Sequence, residues 1–167
     1  MEKSLGPYND GCKLIRISHP GDTNLLLGLY PSILETDNRL VLPDGIQEEY
    51  KDGIYITRGF DRNIMLLTME AFDAIYDRIT YLNIASPVTR LLLRMILGTA
   101  YQTEITSDGK VEISEPLKEF ANLGQDVVLV GQGDFMELWS PDAWHRQEEQ
   151  LLNVEANHFS TLEITTR

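Results

Sequence analysis

The chain contains one short unit written twice, and this limits its fold more than any other feature. Residues 33–50 lie over residues 104–121 at an offset of 71, so that ILETDNRLVLPDGIQEEY matches EITSDGKVEISEPLKEFA. Arg39 falls on Lys110, Leu40 on Val111, Leu42 on Ile113 and Ile46 on Leu117. One extra residue in the second copy moves the offset to 72, and Gly59 then meets Gly131, Leu66 meets Leu138 and Leu67 meets Trp139. Residue classes agree over about 45 positions, in turn, helix start and apolar pattern together.

Each copy reads alike. Asp37-Asn38 and Asp108-Gly109 predict two-residue type I′ hairpin turns, since Asn and Gly tolerate positive φ. Flanking strands are expected near 27–36 and 39–42, and near 99–107 and 110–113. Val111 and Ile113 alternating with Lys110 and Glu112 fit a half-buried strand. A short helix follows near 44–50 and near 115–121. A second strand pair comes next, IYITRG with NIMLL and VVLVG with FMELW, with Gly59 and Gly131 at the matching turns.

A helix closes each copy. Thr68 and Ser140 are N-caps, Pro141 fits the first helical position, and Glu70 and Asp142 supply first-turn acids. Phe72, Ile75, Tyr76, Ile79 and Leu82 keep the helical period. An unrepeated helix from Ser86-Pro87 to Gly98 joins the copies, with Val88, Leu91, Leu92, Met95 and Ile96 as its apolar face. The expected organisation is an N-terminal extension (1–25), a first half (26–83), a linker helix (84–98), a second half (99–148) and a C-terminal tail (149–167). The fold class is α+β, as two pseudo-symmetric ββαββα halves.

Chemistry is sparse. His19, His145 and His158 are scattered, without metal-ligand spacing. No metalloprotease, nucleophile-elbow or Walker pattern occurs. Gly131-Gln132-Gly133-Asp134 reads as a hairpin turn and not a phosphate loop. Asp134 and Glu137 read as a solvated pair. Cys12, the single cysteine, excludes an intrachain disulfide and reads as an inert thiol. No catalytic group is singled out, so the expectation is a binding protein without enzyme activity, cofactor or metal. No apolar run is long enough to span a bilayer, and the first residues lack a signal-peptide core, so the cytoplasm is the expected location.

The net charge of −12 opposes indiscriminate nucleic-acid binding. Residues 84–103, however, carry Arg90 and Arg94 and no acid. The most pointed feature is Arg39 beside the first turn, echoed by Lys110 beside the second. A cation on a protruding two-stranded ribbon suits the DNA major groove, where arginine bonds guanine through two donors. The competing reading is a surface cation paired with Glu35 or Asp37.

These residues resemble the MraZ family of bacterial transcriptional regulators, within the AbrB-like swapped-hairpin superfamily. The likeness rests on Leu34-Glu35-Thr36-Asp37-Asn38-Arg39-Leu40-Val41-Leu42-Pro43 beside the family's D-x-x-G-R-hydrophobic-x-hydrophobic-P hairpin. It rests also on Leu26-Leu27-Gly28, on Thr57-Arg58-Gly59-Phe60-Asp61, on Arg90 and Arg94, and on Val127 through Gly131 with Glu137-Leu138-Trp139. It runs from about Leu26 to Glu149. The resemblance implies a swapped-hairpin β-barrel, a ring-like homo-oligomer, and binding to repeated promoter boxes of the division and cell-wall gene cluster on double-stranded DNA, hence association with the nucleoid. It assigns DNA contact to Arg39, Glu35, Asn38 and Lys110. In the second hairpin Thr106 stands for the acid and Lys110 for arginine, and lysine cannot copy a bidentate guanidinium contact. Arg39 is therefore the expected main reader. The alternative is a ring-forming structural protein of this fold with weak or lost DNA binding.

Overall fold

The computed structural model describes residues 25–153. Cys12, His19, His158, the N-terminal extension before residue 25 and the tail beyond residue 153 lie outside the described residues.

Strand chemistry dictates the centre of the fold. Ile64–Thr68 (β4) is apolar at four consecutive positions, all buried. A strand reads this way only when both of its faces are covered. It pairs antiparallel with Ile54–Arg58 (β3) on one side and Phe135–Trp139 (β8) on the other. Asp126–Gly131 (β7) pairs with β8, Leu29–Ile33 (β1) pairs with β7, and Tyr101–Thr103 (β5) pairs with β3. The result is a six-stranded antiparallel sheet in the order β1-β7-β8-β4-β3-β5. Arg39–Val41 (β2) and Lys110–Glu112 (β6) form a separate two-stranded sheet.

Alternation within the strands sorts the side chains. Ile54, Ile56, Ile64, Leu66, Leu129 and Leu138 line one face of the large sheet, and on it sit the β2–β6 pair, the short helix Asp44–Gln47 (α1) and the helix Glu115–Phe120 (α4). A 3-10 turn, Glu48–Tyr50, extends α1, and the buried Tyr50 hydroxyl donates to the Leu66 carbonyl at 2.8 Å. Met65 and Leu67 point to the opposite face, against Met69–Thr80 (α2) and Pro87–Ile96 (α3). Tyr55 stacks on Phe72 there, with ring centroids 3.8 Å apart. Further along that face, Val130 and Trp139 meet Ala143 of Pro141–Asn153 (α5).

The caps work as the sequence indicated. Thr68 Oγ accepts from the Ala71 amide at 3.1 Å, Ser86 Oγ from Thr89 at 3.5 Å and Ser140 Oγ from Ala143 at 3.4 Å. Thr57 is fully buried, and its hydroxyl donates to the Ile96 carbonyl at 2.6 Å, tying β3 to the end of α3.

Four expectations change. Among the described residues the large sheet is open, with β1 and β5 as edges, and does not close into a barrel; β2 and β6 pair with each other in a sheet of their own. The α3 face is narrower than its pattern implied. Val88 and Leu91 are exposed, because only the later turns, through Leu92, Met95 and Ile96, reach the sheet. On α2, Phe72 and Ile79 are buried, while Tyr76 is exposed, and Leu82 lies exposed beyond the helix end. Gly131 ends β7 instead of forming the turn apex, which falls at Gly133 (φ 94°). Gly131 is needed because a Cβ there would lie 2.5 Å from the Leu26 carbonyl oxygen.

Candidate nucleic-acid interface

The two turns that carry Arg39 and Lys110 are three-residue loops, not two-residue type I′ turns. In the first, the Asn38 amide donates to the Glu35 carbonyl at 3.0 Å and the Glu35 amide to the Arg39 carbonyl at 2.9 Å. Asn38 alone takes positive φ (63°). The second repeats this, Gly109 to Thr106 at 2.9 Å and Thr106 to Lys110 at 2.8 Å, with Gly109 at φ 76°. A four-residue turn whose last residue is left-handed relieves the central pair of positive φ, so Asp37 and Asp108 need none.

Beyond these turns the arms part. β1 continues to β7, and β2 crosses to β6, with Arg39 opposite Glu112, Leu40 opposite Val111 and Val41 opposite Lys110. The Leu42 amide donates to Gly109 at 3.0 Å and the Ile113 amide to Asn38 at 2.9 Å, so the turns sit at opposite ends of the ribbon. The period of two puts Leu40 and Val111 on one face, both fully buried. Arg39, Val41, Lys110 and Glu112 share the other. The ribbon is thus laid on the core and does not protrude. Only its outer face and its turns are open to a partner.

Each expected contact residue has a distinct setting. The Arg39 guanidinium lies 3.3 Å from Asp37, with both side chains about half exposed. Of the two acids considered as its partner, it takes Asp37. Glu35 instead meets Lys110 at 3.0 Å, and Asp108 meets the same ammonium at 3.2 Å. These two carboxylates, Glu35 first, hold the Lys110 ammonium above its ordinary pKa. The Thr106 hydroxyl and then Lys110 hold Asp108 below the usual carboxylate range. The Asn38 carboxamide is engaged at both ends. Its nitrogen donates to Glu115 at 2.5 Å, and its oxygen accepts from Lys118 at 2.8 Å. Both partners belong to α4, which thereby grips the first turn. Sequence reading missed Lys118 and Glu115 as neighbours of Asn38, because no local pattern links positions so far apart in the chain.

Other candidates resolve into scaffold. Arg90 donates to the Ile84 and Ala85 carbonyls at 3.0 and 2.8 Å, closing the loop before α3. His145 lies on α5 near Glu148 and Glu149. Asp134 belongs to the β7–β8 turn, whereas Glu137 in β8 accepts from Trp139 Nε1 at 3.1 Å and Gln132 Nε2 at 3.2 Å. Burial pushes the Glu137 carboxyl up from its ordinary value. A cavity of about 570 Å³ at the start of α2 is lined by five acids, Glu48, Glu49, Asp52, Glu70 and Asp134, against the one cation Lys51. That lining repels anions, and it shares no residue with the ribbon. Among the described residues no cluster of His, Cys, Asp and Glu is placed to hold a metal ion. Among them, too, no helix is long and apolar enough to cross a membrane.

Comparison with known proteins gives consistent results. The family model described as "MraZ protein" matches residues 96–163. The chain is similar to the transcriptional regulator MraZ of Bifidobacterium longum, 32% identical over 120 residues, covering 72% of this chain and 80% of that protein. It is also similar to that of Roseiflexus castenholzii, 32% identical over 72% of this chain and 84% of the relative. The regulator from Thermomicrobium roseum is 28% identical over 76% and 89%.

Proposed function

Because the chain belongs to the MraZ family, we propose that it is a sequence-specific DNA-binding transcriptional regulator that presents Arg39 to repeated promoter boxes. The observation that carries this reading is the placement of Arg39. It is a half-exposed guanidinium, on the open face of an antiparallel pair, with one carboxylate partner. An exposed ion pair of this kind is weak and screened by salt. A DNA phosphate or a guanine edge can therefore displace Asp37 at small cost, and arginine offers the paired donors guanine accepts. By this reading the boxes lie upstream of the division and cell-wall genes.

Duplication of the halves is part of the reading. It is supported by the strand order, which reads the same from either edge when β1 is matched to β5, β7 to β3 and β8 to β4. Assembly as a ring-like homo-oligomer is supported by exposed apolar side chains along the α2–α3 connection, Tyr81, Leu82, Ile84, Val88 and Leu91. Such a patch is larger than single scattered apolar residues. Several reading heads in one assembly would offset the acidic balance through multivalency.

The test is binding of the wild type and of Arg39→Ala to DNA from upstream of the chain's own gene. The wild type should bind and the variant should bind roughly tenfold more weakly or worse, since a bidentate arginine–guanine pair is worth about 1–3 kcal/mol. Equal affinities overturn the reading. A second reading keeps the fold and assembly but has weak or lost DNA binding. The acids Glu35, Asp37, Asp108 and Glu112 around the two cations favour it. Intact oligomers without binding at low salt would establish it.

A further inference from the structure

The first turn carries two acids, Glu35 and Asp37, and the second carries one, Asp108. Glu35 opens the first turn, and its carboxylate reaches across to Lys110 of the second at 3.0 Å. The mirror of Glu35 in the second turn is Thr106. Its hydroxyl donates to Asp108 at 2.6 Å and accepts from the Lys110 amide at 3.1 Å, so it serves its own turn and offers Arg39 no charge. The cross-turn ion pair therefore exists in one direction only. Exposure follows the same asymmetry: the Lys110 side chain is 23% exposed, and that of Arg39 is 49% exposed.

We propose that Lys110 is a tie between the two turns and not a DNA ligand, and that Lys110 and Glu35 act together as positioning residues for Arg39. The proposal rests on the DNA-binding reading above. The chemistry separates the cations. Two of the three Lys110 donors are directed at carboxylates, and both carboxylates would face the backbone of any phosphate bound through the third. Arg39 has one carboxylate beside it. A guanidinium also has five donors in a fixed fork, so it can keep Asp37 on one side and bind DNA with the other. The tie bears on Arg39 through the backbone. The Glu35 amide donates to the Arg39 carbonyl, so anchoring Glu35 at one end of the ribbon fixes the base from which Arg39 projects.

Salt dependence distinguishes a tie from a ligand. Affinity of the intact oligomer for its upstream DNA, and for unrelated DNA, is measured across a salt series for the wild type, Glu35→Gln, Lys110→Gln and the double variant. Lys110→Gln should leave the slope of log affinity against log salt unchanged and lower the specific-to-unrelated ratio severalfold. Glu35→Gln should lower that ratio equally, although it removes a negative charge, and the double variant should be no worse than either. Two outcomes of the salt series overturn the proposal: a slope flattened in Lys110→Gln by about 0.9 for each engaged subunit, as the loss of its phosphate contact requires, or tighter binding by Glu35→Gln. A DNA-free arm separates its failure from failure of the DNA reading. Exchange of the Leu42 and Ile113 amides, which bridge the ribbon ends, should quicken in each single variant and no further in the double. Unchanged exchange in all three overturns the tie even if the wild type binds no DNA.

Discussion

Leu40 and Val111 face each other across the β2–β6 ribbon, and neither is accessible to solvent. The ribbon that carries the candidate DNA-reading face is therefore held down by its own underside. Leu40→Ala should cost about 2–5 kcal/mol, the range for emptying a packed aliphatic site. Combined with Val111→Ala the losses should be non-additive, because the residues share one contact. Urea unfolding of the four proteins in the cycle measures both. A loss of only a few tenths for Leu40→Ala would mean the ribbon is not packed as described.

The Asn38 position separates backbone need from side-chain need. Gly suits its φ of 63° without strain, so Asn38→Gly should lose only the carboxamide contacts with Glu115 and Lys118. Asn38→Val meets the same loss and adds the steric cost of a β-branched residue at positive φ, of order 1–3 kcal/mol. Thermal unfolding should rank wild type, Gly and Val in that order. A valine variant as stable as the glycine variant contradicts the left-handed assignment.

At Gly131 the constraint is space. A methyl group there would meet the Leu26 carbonyl oxygen at 2.5 Å, and backbone cannot swing away as a side chain can. Gly131→Ala should destabilise by about 1–3 kcal/mol and free the Leu26 amide, which donates to Gly133 at 2.7 Å. Amide exchange at Leu26 faster than in the wild type is the expected sign. Unchanged exchange and stability would show that the two segments do not approach so closely.

Glu137 predicts a pH dependence. Its folded-state pKa is raised, chiefly by burial, so the folded protein holds this proton more tightly than the unfolded chain. The stabilisation is fully present below the ordinary glutamate pKa of about 4.3. It is lost as pH rises through the raised value. Glu137→Gln stays neutral and escapes that loss. The stability of the variant relative to the wild type should increase as pH climbs through this window, then level off. Urea midpoints for both across the acid range decide it, and a constant difference would show that the carboxyl is not perturbed.

The exposed apolar residues of the α2–α3 connection invite a substitution that leaves the core untouched. Val88 and Leu91 are 74% and 62% exposed. Val88→Asp with Leu91→Asp should change subunit stability by no more than about 0.5 kcal/mol per site while splitting the proposed oligomer into smaller species. Sedimentation of wild type and double variant tests this; unchanged assembly would place the subunit contact elsewhere.

Much of the fold was legible from sequence because alternation and capping are local. Val111 and Ile113 against Lys110 and Glu112 gave the correct buried side, and Thr68, Ser86 and Ser140 gave the correct helix starts. Turn length was misread, since Asp-Asn and Asp-Gly are compatible with both a two-residue loop and a longer one that ends in a left-handed residue. The reach of α3 was misread at Val88 and Leu91, because a periodic apolar stripe marks a face without saying how far a neighbouring sheet extends beneath it. At the candidate interface, the sequence singled out Arg39. It could not show that Asn38 is held between Glu115 and Lys118, or that Glu35 serves Lys110, since those contacts join residues about seventy positions or more apart.

The open sheet has a consequence for how copies of this chain can meet. Among the described residues its two rims are β1, which carries Pro31 in mid-strand, and β5, which spans three residues. A proline removes a main-chain donor, and so short a strand offers few, so both rims are poor templates for adding a foreign strand. Growth by strand addition, the route to fibrils, is thereby blunted at both ends of the sheet.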